Sequence, residues 1–215
     1  MEILSQLFGS VSRVKLMRLF LFNPDSAFSL ADIVRRVKID SKEIRSEIIR
    51  LINSRIVKKR SVIKDIYSKK KGEKTKVIRR INELGYSLDS RFPYLQALKN
   101  LLIIVSLHAD EGLIRKFSSI GKMKLFIASG VFIQEWDTRI DLLIVGDDLN
   151  IHRLETVMQS IESEVGKEIS YSVFDTEDFE YRLGIHDRLI RDILDSPHTV
   201  LIDRIGISDT DNSNN

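Results

Sequence analysis

The sequence contains no cysteine, three prolines and one tryptophan among its 215 residues. Without cysteine, disulfides, thiolate zinc sites, iron–sulfur clusters and cysteine nucleophiles are excluded. Long hydrophobic runs are also missing, because the longest (residues 101–107, interrupted by Ser106) is far shorter than a membrane span. Residues 1–8 carry Glu2 and no basic segment, so we expect no signal peptide. We therefore expect a cytoplasmic protein that holds no cofactor and does not enter a membrane.

Charge is distributed unevenly along a chain that is otherwise rich enough in apolar residues, at 43%, to bury a core. Residues 1–90 contain 21 Lys/Arg and 10 Asp/Glu, whereas residues 91–215 contain 13 and 21. This asymmetry suggests two domains with different partners, of which the first attracts a polyanion and the second repels one. A solvated basic surface and a contact between the two halves are the alternatives.

Apolar spacing predicts three helices in the first half, over residues 11–22, 30–37 and 41–53. In the third helix, Ile44, Ile48 and Leu51 form one apolar stripe. The predicted N-caps are Ser10, Ser29, and either Asp40 or Ser41.

The second and third predicted helices are separated by a turn of three residues, 38–40, which is typical of a helix-turn-helix. In that motif the second helix of the pair enters the major groove with its N-terminal residues toward the bases. Arginine and lysine donate to guanine acceptors, and serine donates to bases or phosphate. The residues opposite the apolar stripe, which we expect to contact DNA, are Ser41, Lys42, Arg45 and Ser46.

A β-hairpin is predicted after the third helix, with strands over about 57–68 and 74–81 and a turn over 69–73. Gly72 permits the positive φ that such turns use. A solvated lysine-rich tip is the simple interpretation. Directly after a helix-turn-helix, however, lysines at a hairpin tip are placed to contact phosphates. The tip residues expected to do so are Lys69, Lys70, Lys71 and Lys74.

A family resemblance covers residues 7–92. The segment Leu7-Phe8-Gly9-Ser10 is followed by Arg13, Leu16 and Leu19, then by the helix-turn-helix spacing and by Tyr67 in the hairpin. With these features the segment resembles the ArsR/MarR-type winged-helix regulators, which implies a winged helix-turn-helix that binds double-stranded DNA. ArsR-type metal sensing uses cysteine or clustered histidine. The four histidines lie outside this segment, so we expect no metal.

A connecting helix is predicted over residues 94–107, with Pro93 in its first turn. Its apolar stripe favours pairing with a second copy of the chain, because helix-turn-helix proteins usually read two half-sites as dimers. We therefore expect a homodimer, with a purely intrachain core helix as the alternative. The stripe consists of Leu95, Leu98, Leu101, Leu102 and Val105.

The second half alternates predicted strands and helices, the order of an α+β domain with a mixed sheet and flanking helices. Phe179, Tyr171 and Tyr181 are predicted core residues. The Ser-, Asp- and Asn-rich tail over 208–215 is predicted to be disordered. The predicted strands cover residues 122–129, 140–145, 168–174 and 199–202, and the predicted helices 150–165, 176–183 and 187–194.

Ser129-Gly130 is followed eleven residues after Gly130 by Asp141, at the start of a predicted strand. This segment is similar to the signature of the minimal nucleotidyltransferases of the DNA polymerase β-like superfamily. In that family a Gly-Ser pair holds the triphosphate and an Asp-x-Asp pair holds two Mg²⁺ ions. The resemblance implies a vestigial nucleotide-binding site at Ser129, Gly130 and Asp141. The alternative is a structural role, in which Gly130 ends a strand and Asp141 is a half-buried acid.

The sequence departs from that signature where the chemistry depends on it. Val131 replaces the serine, and Arg139 replaces the first carboxylate and is expected to repel Mg²⁺ or to pair with Asp141. Glu168 is the nearest candidate for the third carboxylate. Because metal carboxylates supply most of the rate in phosphoryl transfer, we expect that catalysis and metal binding have been lost.

Taken together, the sequence predicts an α+β protein of two domains. A winged helix-turn-helix covers residues 1–92, connecting helices 93–119, a nucleotidyltransferase-like domain 120–207 and a tail 208–215. The expected function is sequence-specific transcriptional regulation as a homodimer, with the second domain used for assembly or for sensing a ligand, a nucleotide among the candidates. The alternative is an active nucleotidyltransferase that modifies a protein or RNA partner with ATP and Mg²⁺.

Overall fold

The computed structural model describes residues 3–67, 77–104, 110–136 and 138–207. These residues form a mixed α+β structure with nine α-helices and two sheets. The chain divides into two compact units. Unit 1 consists of Met1–Leu102 with Glu162–Lys167, and unit 2 of Ile103–Ile161 with Glu168–Asn215. The division falls after Leu102, inside the segment predicted to connect two domains.

The three helices predicted in the first half have the predicted bounds, and a side chain caps the start of each. Ser10 accepts a hydrogen bond from the Arg13 amide, Ser29 forms a capping box with Asp32, and Asp40 accepts from the Lys42 amide. The elements of unit 1 are α1 (Ile3–Phe8), α2 (Val11–Phe22), β1 (Ala27–Ser29), α3 (Leu30–Val37), α4 (Ser41–Asn53), β2 (Val57–Tyr67), β3 (Val77–Leu88) and α5 (Leu95–Lys99).

The sheet of unit 1 has the strand order β1-β3-β2, and both pairings are antiparallel. The sequence did not predict β1, and it ended β3 seven residues early. Gly85 explains why the prediction ended β3 too early. A glycine at this point of the pattern suggests the end of a strand, but Gly85 lies inside β3, the central strand between β1 and β2. A Cβ atom at Gly85 would lie 2.2 Å from Val62 Cγ2 and 3.0 Å from the Phe28 carbonyl oxygen. Close packing on both sides therefore requires glycine inside this strand.

Helix α2 forms the centre of the core of unit 1. Eight of its twelve residues are buried, and Leu16 and Phe20 have no solvent exposure. The predicted stripe of α4 packs into the same core, as does Ile33 of α3. The core therefore joins the helices of the predicted helix-turn-helix into one body.

The connecting helix differs from the prediction of one continuous helix over residues 94–107. Helix α5 ends at Lys99 and continues as a π-helical turn over Asn100–Ile104. A π-turn holds one more residue than an α-turn, so it moves the following side chains out of the predicted stripe. Leu102 is buried, whereas Leu101 is 37% exposed. Val105 lies outside the described residues.

Unit 2 contains a four-stranded mixed sheet in the order β6-β5-β4-β7, in which β5 and β6 are parallel and the other pairs antiparallel. Helix α7 connects the two parallel strands. The elements that lie wholly or mainly in unit 2 are α6 (Asp110–Phe117), β4 (Met123–Ala128), β5 (Leu142–Gly146), α7 (Ile151–Val165), β6 (Tyr171–Phe174), α8 (Thr176–Gly184), α9 (Arg188–Leu194) and β7 (Thr199–Asp203), with a 3₁₀ turn at Gly130–Phe132. The last residues of α7, from Glu162 onward, belong to unit 1.

The core of unit 2 lies where β4 and β5 meet α8 and α9, and includes Leu125, Leu143 and Ile190. Phe179 is fully buried there, as predicted. Tyr171 and Tyr181, predicted as core, are instead 37% and 66% exposed, because β6 is an edge strand and Tyr181 lies on the outer side of α8. In the described part of the chain, no helix has the length and apolar character needed to cross a membrane.

Candidate functional site

Helix α4 has one buried face and one exposed face. Ile44, Ile48 and Leu51 are at most 2% exposed, in agreement with the predicted stripe. Ile49 lies on the outer side and is 59% exposed. The outer side also carries all four residues that the sequence assigned to base and phosphate contacts. These residues, each exposed, are Ser41, Lys42, Arg45 and Ser46.

The short turn before α4 is fixed by backbone geometry. Lys38 adopts the left-handed conformation (φ 54°), and its amide donates to the Val34 carbonyl, which ends α3. Asp40 then caps α4. Three residues therefore separate the two helices, as predicted, and the N-terminal turn of α4 is exposed.

Two polar contacts hold the inner side of α4 against α2, and the sequence pattern indicated neither of them. Ser12 Oγ donates to Glu43 Oε1. Arg13 Nε donates to Glu47 Oε2 at 2.7 Å, and Arg13 Nη2 donates to Glu47 Oε1 at 3.2 Å. Arg13 Nη1 also donates to the Phe8 carbonyl at 2.6 Å. We call the Arg13–Glu47 pair the α2–α4 clamp. The sequence feature that could have pointed to these contacts is the set of charged residues beside the apolar stripe of α4.

The hairpin extends well beyond the three-stranded part of its sheet, because β2 and β3 pair from Val57/Leu88 to Tyr67/Val77 whereas β1 pairs with Ser87 to Gly85 alone. Lys64 forms an ion pair with Glu83 at 3.6 Å, and Lys59 and Arg60 are exposed. The predicted tip residues Lys69, Lys70, Lys71 and Lys74 lie outside the described residues.

In unit 2, the residues of the predicted nucleotide site come together, but their polar atoms bond to one another and to the backbone. Ser129 Oγ donates to the Ile140 carbonyl at 2.6 Å. Asp141 Oδ1 accepts from the Val131 amide and Oδ2 from the Ser170 amide, both at 2.9 Å. Asp141 is 3% exposed. These bonds tie the turn after β4 to the strand that follows.

Gly130 is required at this place for two reasons. Its φ is +57°, in the left-handed region that favours glycine. A Cβ atom would also lie 2.2 Å from Asp141 Oδ1. The glycine therefore makes room for the carboxylate of Asp141.

Arg139 does not pair with Asp141, contrary to one of our expectations. Its Nη1 lies 2.6 Å from Asp192 Oδ2 on α9, and both side chains are about half exposed. Asp141 instead accepts hydrogen bonds from the Val131 and Ser170 amides, and both Arg139 and Asp141 precede β5. Glu168 is exposed and precedes β6. Within the described ranges, no group of three or more histidine or carboxylate side chains is arranged to hold a metal ion.

A third polar cluster, which the sequence pattern did not indicate, lies at the carboxyl ends of β5 and β6. Lys124 Nζ lies 2.7 Å from Asp147 Oδ2, and the Thr176 amide donates to Asp147 Oδ1 at 2.9 Å. The hydrogen bond from Lys124, followed by that from Thr176, lowers the pKa of Asp147 to about 2. This carboxylate therefore stabilises the first turn of α8.

Comparison of the chain with protein-family models, curated proteins and solved structures finds no significant match. We therefore infer the function from the residues and contacts described above.

Proposed function

We propose that the chain is a sequence-specific, DNA-binding transcriptional regulator that acts as a homodimer. In this proposal unit 1 is a winged helix-turn-helix. Its α4 lies in the major groove, and the lysine-rich tip of the β2–β3 hairpin contacts phosphates. The second unit is a nucleotidyltransferase-like domain without catalytic function that serves assembly or ligand sensing.

The exposed face of α4 is the observation that carries this proposal. Two cations and two hydroxyls, on Lys42, Arg45, Ser41 and Ser46, lie on one side of the first two turns. These are the side chains that donate to guanine acceptors and to phosphates. The opposite side of α4 is held by apolar packing and by the α2–α4 clamp, so the exposed side chains project from a fixed helix.

Charge supports the same assignment. Residues 1–90 carry an excess of 11 cations over anions, whereas the remainder carries an excess of 8 anions. A polyanion is therefore attracted to the segment that contains α4 and the hairpin. The long β2–β3 hairpin adds two further exposed cations, Lys59 and Arg60, to this segment.

The bonding of Asp141 supports a non-catalytic role for unit 2. Two-metal phosphoryl transfer requires carboxylates that face the ions and the substrate. Asp141 is buried and accepts two backbone hydrogen bonds, and Arg139 stands where the family signature has its other carboxylate. A site of this kind favours a structural or ligand-binding role over nucleotidyl transfer.

The decisive experiment measures DNA binding by the full chain. A random-sequence selection yields the preferred duplex, and fluorescence anisotropy then gives affinities for that duplex and for a scrambled one. We expect the double variant Lys42→Ala/Arg45→Ala to lose about 1–3 kcal/mol of preference for the selected duplex, because base contacts are removed. The matched control is Lys122→Ala/Arg188→Ala, which removes two exposed cations from unit 2.

The proposal fails if the α4 double variant binds the selected duplex as the wild type does. It also fails if the α4 variant and the unit 2 control lose the same affinity, since only net charge would then matter. Sedimentation of the protein–DNA complex gives its stoichiometry, and we expect two chains per duplex.

A further inference from the structure

The β2–β3 hairpin carries two exposed apolar side chains on one face. In its antiparallel register, Ser61 lies opposite Leu84 and Ile63 lies opposite Asn82. Opposed residues point to the same side of a sheet, and so do alternate residues along a strand. Ile63 and Leu84 are therefore diagonal neighbours on one face, and they are 70% and 56% exposed. We call them the hairpin pair.

The same face of the sheet is buried at the base of the hairpin. Val57 and Leu88, which lie opposite each other, are each 2% exposed. Phe28 of β1 lies opposite Tyr86 and packs against Phe20 of α2, with ring centroids 6.1 Å apart. Helix α2 therefore covers this part of the face. Farther along the hairpin, no described element of unit 1 covers the hairpin pair.

Positive charge surrounds the hairpin pair. A shallow cavity of about 360 Å³ lies beside it, and Lys59, Arg60 and Leu84 are among the lining residues. Lys59 and Arg60 are exposed, and neither forms an ion pair with another residue in the described part of the chain. Glu83, the anion in the lining, already pairs with Lys64 at 3.6 Å. Two cations beside the hairpin pair are therefore available to an acidic partner.

We propose that this face of the hairpin docks an acidic amphipathic helix of a partner protein. The apolar side of that helix packs on the hairpin pair, as α2 packs on the base of the same face. Carboxylates along the flank of the helix pair with Lys59 and Arg60. The partner helix thus extends the layer of helices over the uncovered end of the sheet.

Two other occupants match this face less well. A second copy of the same face would set positive charge against positive charge, because residues 1–90 carry an excess of 11 cations. Duplex DNA complements the cations, but its phosphate backbone offers charge rather than apolar surface to the hairpin pair. An acidic amphipathic helix complements both features. The inference does not rest on the proposed function, since neither α4 nor DNA takes part in the contact.

The test measures the binding of a fluorescein-labelled peptide to the full chain by anisotropy, without DNA. The peptide has about 18 residues of leucine, alanine and glutamate, with the leucines spaced to form one stripe on a helix. We expect one peptide to bind per chain, with an affinity that falls as salt rises. Ile63→Ser/Leu84→Ser should weaken binding at least about tenfold, because two apolar side chains that the peptide would bury are removed. The matched control, Ile151→Ser/Ile185→Ser, changes two exposed isoleucines of unit 2 and should bind as the wild type does.

Two further comparisons separate the apolar contribution from the charged one. A peptide of the same composition with its leucines scattered around the helix should bind more weakly to the wild type. Lys59→Gln/Arg60→Gln should weaken binding of the striped peptide and reduce its salt dependence. Circular dichroism checks that each variant folds, and Leu84→Ser alone replaces the double serine variant if the latter does not.

The proposal is overturned if the striped peptide does not saturate the chain, if the scattered peptide binds as tightly, or if the double serine variant binds as the wild type does. It is also overturned if the double serine variant loses affinity for DNA but not for the peptide, or if sedimentation shows a dimer that excludes the peptide. DNA binding by α4 is measured separately, so either proposal can fail while the other stands.

Discussion

Arg13 on α2 and Glu47 on α4 form a two-point ion pair across 34 residues of sequence, with donor–acceptor distances of 2.7 and 3.2 Å. Glu47 is 7% exposed, so solvent screens this pair less than it screens a surface pair. The pair holds the inner side of the helix whose outer side we propose to contact DNA.

We expect Glu47→Gln to lower the free energy of unfolding by about 1–3 kcal/mol, because a neutral amide replaces a buried carboxylate that accepts two hydrogen bonds from Arg13. Urea unfolding followed by circular dichroism measures the change. The control is Asp25→Asn, at an exposed position in the turn after α2. A loss of stability that is the same in both variants would contradict a specific role for the clamp.

Asp147 makes the stability of unit 2 depend on pH. Its pKa is lowered from 3.8 to about 2 by Lys124 and the Thr176 amide, so its ionised form favours the folded state. The resulting stabilisation is present above about pH 4 and is lost as the pH falls through about 2. We therefore expect Asp147→Asn to lower the melting temperature at pH 7 and to match the wild type near pH 2.

Melting curves between pH 7 and 2 measure this dependence, with the exposed neighbour variant Asp148→Asn as the control. A difference between wild type and Asp147→Asn that stays constant over that range would show that the carboxylate charge is not involved.

Gly130→Ala should be strongly destabilising. The left-handed conformation costs alanine about 1–2 kcal/mol. Its Cβ also meets the buried carboxylate of Asp141, so we expect a total loss of at least about 2 kcal/mol. Gly184→Ala, at the end of α8 with open space around its Cβ position, is the matched control and should change stability by less than about 1 kcal/mol. If thermal unfolding shows the same loss of stability in both variants, the contact between a Cβ atom at position 130 and Asp141 does not destabilise the fold.

Incubation with Mg²⁺ and labelled ATP should leave the full chain and its co-purifying partners unlabelled. Asp141→Asn should instead reduce stability, because the Val131 and Ser170 amides lose a charged acceptor. Label transfer that disappears in Asp141→Asn, in a variant that remains folded, would establish the alternative enzymatic function.

Removal of the lysines at the hairpin tip should affect all duplexes alike. We expect Lys69→Ala/Lys70→Ala/Lys71→Ala to weaken binding to selected and scrambled DNA by the same factor. The slope of log affinity against log salt should fall by up to about 3, roughly one for each phosphate that the variant no longer neutralises. Anisotropy titrations at several salt concentrations measure the slope. A selective effect on one sequence would instead assign base recognition to the tip.

Helix boundaries could be predicted because their signals are local. Ser10, Ser29 and Asp40 cap helices within three residues of their own positions, and the stripe of α4 repeats every three to four residues. Strand β1 could not be predicted, because three residues carry too short a pattern and depend on pairing with residues 85–87.

The candidate site also has one part that the sequence could predict and another that it could not. The outward face of α4 follows from periodicity alone, whereas its support depends on partners distant in sequence, such as Ser12 for Glu43 and Arg13 for Glu47. The bonding of Asp141 could not be predicted either, since Ser170 lies 29 residues away. The motif around Asp141 indicated which segments meet there but not the direction of the carboxylate.

The burial of α2 on nearly all sides has a consequence for how unit 1 opens. Its central amides are shielded by Leu16, Phe20 and the helices around them, so they exchange hydrogen with water mainly when the whole unit unfolds. The outer turn of α4 lacks that shielding. We therefore expect the amides of α2 to take up deuterium slowly and those of the outer turn of α4 to take it up fast. The proposed contact residues lie in the fast-exchanging part, which can adjust to a partner.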